Sequence, residues 1–417
     1  MTKLDNKLNI IQDYKIAIEI TDNPYDFAIT DLFKMATRIN KKRQFLFVST
    51  VLGKHLAVQP QVPILTGALL AMMYYERLTG KEPLLVQSVV QAMQNRDNVQ
   101  EILQQVEEQG LELAEDVLFI GFAETATALG HAVFNVFKSN ATYIHTTREL
   151  VPELEPFVTF EEEHSHATSH RVYCEQPEKL LQAKQIVLID DEITTGNTVI
   201  NIIETLQRKF PHVQRYSVLS ILDWRSSKQR AMFAQLEAQW GITIDFVAII
   251  SGHFTCDGTP LLTSNQVAAT LPQTADITLL SVDEVVEQKQ YHSIAENGVI
   301  NRAPYMLATG RFTITAKQHV AQKKTLQAIA AQLRALRTGG PALVIGTGEF
   351  MYVPMQIATC LGQEVYFQST TRSPIYCADD PSYTITDKIA FESPENNGVE
   401  NYLYNLHSHP YSELFLV

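Results

Sequence analysis

The chain has 417 residues, 45% of them hydrophobic and 19% charged, which is enough for two domains with separate cores and is not a disordered composition. A net charge of −13, with no basic cluster beyond Lys41-Lys42-Arg43, argues against a nucleic-acid-binding surface. No apolar run approaches the length of a bilayer, the first residues lack a signal core, and the four cysteines form no C-x-x-C pair. These features predict a cytoplasmic protein with reduced thiols and without nucleic-acid or membrane partners.

The first part of the chain alternates apolar runs with helical patterns, after an extended polar lead-in over residues 1–43. Strands are predicted at 45–51, 117–120, 143–146, 186–189, 216–222 and 244–250. Helical patterns cover 65–78, 87–109, 129–137 and 199–206. This alternation favours right-handed β-α-β units and a parallel sheet.

Periodicity weakens between residues 251 and 309, where Gly, Pro, Thr and Asn accumulate, and this predicts a domain boundary near 290–310. A helix is predicted over 319–337, ending at a Gly-Gly-Pro stop. Strands at 342–345, 365–367 and 414–417 follow, with a turn at 346–349 and a helix that begins at Pro354.

The most informative run is 187–198, Val-Leu-Ile-Asp-Asp-Glu-Ile-Thr-Thr-Gly-Asn-Thr. A buried strand is followed by Asp190 and Asp191, and a hydroxyl-rich turn then leads into an apolar helical stripe. The N–H groups of such a turn and the helix dipole suit a phosphate, and the carboxylates suit ribose hydroxyls or Mg²⁺. The run therefore predicts recognition of a ribose 5-phosphate. An ordinary strand-to-helix turn is the alternative, whereas a Walker B strand is disfavoured because the chain has no G-x-x-x-x-G-K-[ST] motif.

This run resembles the 5-phosphoribosyl-1-pyrophosphate (PRPP) motif of the type I phosphoribosyltransferases. The resemblance implies that Asp190 and Asp191 hold the ribose hydroxyls of PRPP. It also implies a 5-phosphate site made by Thr194, Thr195, Gly196, Asn197 and Thr198. Asn197 replaces a second glycine of the family motif, and Asn is the next most tolerant residue of positive φ.

The resemblance places the pyrophosphate of PRPP at the turn after the first core strand, Gly121 to Ala126. Glu124 and Thr125 are the candidate residues of this turn, although a plain carboxylate at a helix start is the alternative reading of Glu124. Arg148 ends the next predicted strand at the same edge and could bind a phosphate through two N–H groups, or be an ordinary surface arginine.

The polar stretch from Val151 to Arg171 lies where the family has a mobile loop over PRPP. Within it, 158–171 is expected to be a lid in which His166 and Arg171 contact pyrophosphate. A metal site at His164 and His166 and a flexible surface loop are the other readings.

The C-terminal part repeats the plan of 117–148: strand, Gly-x-x-Glu turn, helix, strand, Thr-Thr-Arg. Duplication and convergence both explain the repeat. Gly346, Gly348, Glu349, Thr371 and Arg372 are the candidate ligand residues of this part, and they suit an anion better than a sugar diol. A Rossmann site is disfavoured because the third glycine is missing.

Thr371-Arg372-Ser373-Pro374 resembles the TRSP domain, which follows a phosphoribosyltransferase domain in proteins of bacterial tellurite-resistance and stress gene clusters. The resemblance implies an α/β protein: a type I phosphoribosyltransferase-like parallel sheet domain at 1–290 (core about 44–250), then a smaller Rossmann-like domain at 300–417. It implies a PRPP-dependent glycosyltransferase (pentosyltransferase) that acts on a nucleobase or similar nitrogen acceptor in nucleotide-like metabolite synthesis. Mg²⁺ would be carried on PRPP, and a homodimer is left open. A PRPP-sensing regulator without turnover is the alternative function.

Overall fold

The structure is a computed structural model that describes residues 5–39, 44–162, 168–260, 276–282, 285–295, 297–380, 382–393 and 398–417. In the first part of the chain the strands are β1 Asp5–Ile11, β2 Tyr14–Asp22, β3 Phe33–Thr37, β4 Phe45–Ser49, β5 Leu111–Gly121, β6 Phe137–His145, β7 Val158–Glu162, β8 Thr168–Val172, β9 Gln185–Ile189, β10 Glu192–Ile193, β11 Arg215–Asp223 and β12 Thr243–Asp257. After them come β13 Gln288–Lys289, β14 Ser293–Ile294, β15 Ile300–Asn301, β16 Tyr305–Met306, β17 Ile314–Thr315, β18 Ala342–Gly346, β19 Val365–Ser369, β20 Lys388–Glu392, β21 Glu400–Tyr404 and β22 Glu413–Leu416.

The helices of the described residues are α1 Ile29–Leu32, α2 Gln61–Thr79, α3 Val86–Asn95, α4 Val99–Gln109, α5 Ala126–Phe134, α6 Pro177–Leu180, α7 Asn197–Lys209, α8 Ser227–Trp240, α9 Ala316–Ala335 and α10 Tyr352–Thr359. Short 3-10 helices cover Leu307–Thr309 and Leu406–Ser408. The predicted helix over 87–109 is two helices, because Arg96 and Asn98 adopt left-handed φ values of 55° and 53° between α3 and α4.

Within the described residues, the main sheet has nine strands in the order β1-β2-β12-β11-β9-β5-β6-β17, with β10 paired to β11. Its centre is parallel from β12 to β6, as the alternation of strands and helices predicts. The carboxyl ends of the parallel strands therefore lie at one edge of the sheet, where such folds bind ligands.

The polar N-terminus is part of this sheet and not a lead-in to it. β1 and β2 form an antiparallel hairpin, and β2 pairs with the far half of β12. β12 is longer than the predicted strand because its far half finds this partner. The hairpin buries Ile16 and Ile18, and this short alternation of buried and less buried residues is too weak a signal to predict a strand without its partner.

The C-terminal part forms a second, three-stranded parallel sheet in the order β19-β18-β22. It is not packed separately: α9 contacts β6, β17 pairs with β6, and α10 contacts α5. Buried residues of both parts belong to one apolar cluster that runs from Ile10 to Phe367. The division at 290–300 stays a prediction about the chain, and the shared core shows that the two parts pack as one body.

Candidate functional site

The predicted phosphate loop lies at the carboxyl end of β9. The Asp190 N–H donates to the Leu219 carbonyl at 3.0 Å, and Gly196 has a φ of 81° immediately before α7 begins at Asn197. α7 buries Val199, and the apolar stripe that follows anchors the helix. The left-handed residue of the loop is thus Gly196. Asn197 is the first helical residue, so it does not need the tolerance of positive φ that the sequence suggested.

Asp190 and Asp191 are adjacent acids that resist carrying two negative charges. The Asp191 N–H donates to the Asp190 carboxylate at 2.9 Å. Desolvation, followed by the charge of Asp191, raises the pKa of Asp190 well above its usual range. Ribose hydroxyl groups or a cation would relieve this repulsion, so the pair is chemically suited to either.

The turn after β5 is hydrogen-bonded to the residue that follows β6. The Gly121 carbonyl accepts from the Thr146 N–H at 2.9 Å, and the Ala123 N–H donates to the Thr146 hydroxyl at 2.9 Å. Gly121 aligns with Ile189 of β9 and His145 of β6, so this turn and the acidic pair lie at the same edge of the sheet.

The turn after β18 is built by the same hydrogen bonds. The Gly346 carbonyl accepts from the Thr370 N–H at 3.0 Å, and the Gly348 N–H donates to the Thr370 hydroxyl at 2.9 Å. The next residue of each repeat forms one antiparallel bridge: Thr147 pairs with Arg171 in β8, and Thr371 pairs with Tyr402 in β21.

The correspondence extends beyond the sequence repeat. The hairpin of β7 and β8 corresponds to that of β20 and β21, and β9 beside β5 corresponds to β22 beside β18. The C-terminal part therefore repeats the connectivity from β5 to β9. A repeat of five strands and a helix with matching turn hydrogen bonds favours duplication over convergence.

The two turns face one cleft of about 150 Å³. Its charged lining consists of Lys54, Glu124, Arg148, Glu149, Arg311, Glu349 and Arg372. One oxygen of Glu124, Oε1, accepts from Arg148 Nη1 at 2.8 Å and from Arg372 Nε at 3.1 Å, and Arg372 Nη2 also donates to it. Desolvation opposes ionisation of Glu124, but Lys54, Arg372 and Arg148 outweigh it and lower the pKa of this carboxyl to about 2.

Arg311 and Lys54 are site residues that the sequence analysis did not select. Arg311 donates to Glu149 of the N-terminal part and, at 3.0 Å, to Glu349 of the C-terminal part. Lys54 is 3% exposed, and its ammonium donates to the Gly348 carbonyl at 2.9 Å. A lysine within the apolar run after β4 was the available signal for Lys54. Arg311 lies in a stretch of weak periodicity, and no sequence signal marks it as a site residue.

Several of the predicted site residues do not line the cleft. Arg171 does not line the cleft; its Nη1 donates to the carbonyl of Arg148, a residue that does line it, at 2.9 Å. Thr125 immediately precedes α5, and Thr371 is buried with its hydroxyl accepting from the Ser373 N–H at 3.1 Å. The stretch 158–171, expected to be a loop, contains the paired strands β7 and β8. His164 and His166 lie outside the described residues.

A parallel α/β sheet with an acidic pair and a phosphate-type loop at its carboxyl edge defines the class of phosphoribosyltransferases. Residues 32–253 match the phosphoribosyl transferase family, and residues 308–417 match the TRSP domain that lies C-terminal to it. The first match covers more than half of the chain, so the protein belongs to this phosphoribosyltransferase family. The resemblance inferred from the residues is confirmed for both parts, in the predicted order, and the predicted α/β fold class is confirmed with it.

Solved structures similar to the chain are phosphoribosyltransferases. The adenine enzyme of Trypanosoma brucei, solved with AMP, pyrophosphate and ribose-5-phosphate, is 11% identical, with 63% of this chain and 94% of that chain covered and a TM-score of 0.30. The adenine enzyme of Giardia lamblia, solved with 9-deazaadenine, is 15% identical, with 39% and 85% covered and a TM-score of 0.25. The orotate enzyme of Aeropyrum pernix is 17% identical, with 32% and 60% covered and a TM-score of 0.19.

A search of curated proteins finds no match to the chain. Among the described residues, no helix is long and apolar enough to cross a membrane. In the same part of the chain, no group of three or more His, Cys, Asp and Glu side chains could hold a metal ion.

Proposed function

We propose that the protein is a pentosyltransferase that transfers the phosphoribosyl group of PRPP to a nitrogen of a nucleobase or similar small acceptor. The observation that carries the proposal is the loop from Asp190 to Thr198, with left-handed Gly196 leading into α7 at the carboxyl edge of a parallel sheet.

The 5-phosphate of PRPP is assigned to the start of α7. The loop N–H groups and the positive end of the helix dipole attract a phosphate, and the hydroxyl groups of Thr194, Thr195 and Thr198 add donors. Gly196 and Asn197 contribute backbone N–H groups of the same turn. Asn197 N–H is 3.4 Å from the Thr195 hydroxyl, which keeps the turn compact.

Asp190 and Asp191 are assigned to the two ribose hydroxyls, which donate hydrogen bonds to carboxylates and relieve the repulsion of the pair. Mg²⁺ would enter bound to PRPP and would neutralise charge on the leaving pyrophosphate, and the carboxylates of this pair could serve as oxygen ligands to it.

The pyrophosphate end is assigned to Arg148 and the turn with Glu124 and Thr125. Arg171 supports Arg148 by binding its carbonyl, so its proposed contribution is to position that residue. Of the second set of candidate residues, Gly348, Glu349 and Arg372 line the same cleft, and Gly346 and Thr371 are their neighbours in the chain. We therefore propose one site built by both parts instead of two separate sites.

In the proposed reaction, the acceptor nitrogen forms a bond to C1 of the ribose while the bond from C1 to the pyrophosphate oxygen breaks. The electron pair of that bond leaves with pyrophosphate, and the acceptor nitrogen loses its proton to solvent or base. The positive charge that develops on the ribose is stabilised by the acidic pair beside it.

Calorimetry of the full chain with PRPP and Mg²⁺ tests the assignment. Asp190→Asn with Asp191→Asn should abolish PRPP binding without lowering the melting temperature, because removing the two charges also removes their repulsion. Asp116→Asn, on an exposed position of β5, is the matched control and should bind PRPP like the wild type. Unchanged affinity in the double variant would refute the site.

Mass spectrometry of products from PRPP, Mg²⁺ and a panel of nucleobases tests the reaction and identifies the acceptor. PRPP binding without a new phosphoribosyl product or PRPP loss would instead favour the regulatory alternative, which none of the comparisons supports.

A further inference from the structure

The Glu124 carboxylate occupies a position built for an anion. Three N–H groups from Arg148 and Arg372 converge on its Oε1 atom, the two arginines coming from corresponding positions of the two repeats. The Glu124 side chain is 23% exposed and lines the open cleft, so it can move away from this position. Guanidinium groups bind phosphate oxygens with the same geometry as carboxylate oxygens.

The surroundings of Glu124 carry more positive charge than one carboxylate neutralises. Arg148, Arg372 and buried Lys54 together bring three positive charges to this side of the cleft. The Lys54 ammonium has three donor hydrogens and makes one hydrogen bond among the described residues, to the Gly348 carbonyl. With Glu124 in place these four side chains keep a net charge of two, which Glu349 offsets in part because it also faces Lys54 and Arg148. The remaining positive charge suits a more highly charged anion.

The opposite side of the cleft has the reverse balance. There one guanidinium, that of Arg311, is ion-paired with two carboxylates, Glu149 and Glu349, so these three groups together carry a negative charge. Glu349 also faces Arg148 and Lys54 across the cleft. An anion entering the cleft is therefore directed to the Glu124 side. That side adjoins Gly121, which aligns with Ile189 just before the acidic pair of the PRPP loop.

We propose that Glu124 is an internal substitute for the diphosphate group of PRPP: diphosphate displaces it and is bound jointly by Arg148, Lys54 and Arg372 of the C-terminal repeat. The inference rests on the proposed function for the identity of the ligand. It gives the C-terminal part a direct role in the transferase site. A glutamate that stayed beside the phosphates would repel them, whereas in this proposal Glu124 moves away when they bind.

Titration of the full chain with inorganic pyrophosphate and Mg²⁺ tests the inference. Glu124→Gln should bind pyrophosphate severalfold more tightly than the wild type, because the competing negative charge is gone. Arg372→Gln should bind it about tenfold more weakly or worse, the usual consequence of losing a charged hydrogen-bond donor. Glu112→Gln and Arg302→Gln, at exposed positions, make the same charge changes elsewhere and should leave the affinity unchanged.

Arg372→Lys covers the case in which Arg372→Gln does not fold. It keeps the charge but loses the paired N–H donors, so pyrophosphate should still bind more weakly than to the wild type. Wild-type affinity in whichever Arg372 variant folds, or unchanged or weaker binding in Glu124→Gln, would overturn the inference.

A PRPP titration separates this inference from the proposed function. The Asp190→Asn, Asp191→Asn double variant should lose PRPP and keep pyrophosphate. If pyrophosphate binds with the expected variant effects but PRPP does not bind, the proposed function is wrong and this inference stands. If Arg372→Gln turns over PRPP with an unchanged KM, this inference is wrong and the proposed function stands.

Discussion

Replacing Arg311 with methionine should strongly destabilise the protein. Arg311 is 9% exposed and donates to Glu149 and Glu349, whose side chains are 21% and 20% exposed. Its guanidinium also lies 4.9 Å from the Tyr305 ring centroid. Arg311→Met leaves two largely buried carboxylates without their cation, and removing one partner of a buried pair costs roughly 3–5 kcal/mol. Because both glutamates keep some contact with solvent, we expect a loss near the lower end, about 3 kcal/mol.

Urea denaturation of the full chain at pH 7 measures this loss. Arg208→Met is the matched control, since Arg208 and its partner Glu204 are 73% and 53% exposed and such pairs contribute less than about 1 kcal/mol. Adding Glu149→Gln and Glu349→Gln to Arg311→Met should recover most of the stability, because no uncompensated charge then remains.

The loss should also depend on pH. Burial raises the pKa of Glu349 against the opposing effect of Arg311, whereas Arg311 helps to hold the pKa of Glu149 below its usual value. Removing Arg311 therefore raises the pKa of both glutamates. A carboxyl group whose pKa is raised by folding lowers the free energy of unfolding as pH rises toward and through that raised pKa. The loss of stability in Arg311→Met should therefore be larger at pH 7 than at pH 5. If the free energy of unfolding of Arg311→Met lies within about 0.5 kcal/mol of that of Arg208→Met, or if the triple variant recovers no stability, this account of Arg311 is wrong.

Two further predictions concern the loop and the buried histidines. Gly196→Ala should weaken PRPP binding and lower the melting temperature, because a Cβ would lie 2.6 Å from the Phe233 ring at a φ of 81°. Gly241→Ala is the control, because Gly241 has a φ of 67° but no atom within 4 Å of the added Cβ. This variant carries the backbone strain alone and should keep PRPP affinity. Equal PRPP affinities in the two variants would contradict this. Burial lowers the pKa of His145 and of His319 to about 3, so the stability they provide is complete above their unfolded pKa of about 6.5 and is lost as pH falls toward 3. Urea denaturation between pH 7 and 5 should show His319→Gln to be less pH-dependent than the wild type, and an equal slope would contradict the prediction.

The local features of this protein can be predicted from short stretches of its sequence. Buried parallel strands are continuous apolar runs, so β5, β9, β11 and β18 were placed within a few residues, except that β5 begins six residues before the predicted run. The phosphate-type loop is also local, because an acidic pair, a glycine and a helix start follow one strand directly. For the same reason the repeated strand, turn and Thr-Thr-Arg pattern was visible before the structure.

Which of these local features lie next to one another depends on the three-dimensional fold. Glu124 and Arg372 are 248 positions apart, and Arg311 joins glutamates that are 162 positions before it and 38 after it. The strand hairpin β1–β2 and the strand β17 have no strong pattern of their own and are ordered by the sheet edges they cover. Charged pairing and edge-strand placement depend on proximity in space, which no short stretch of sequence encodes. The site between the two repeats was therefore evident only from the fold.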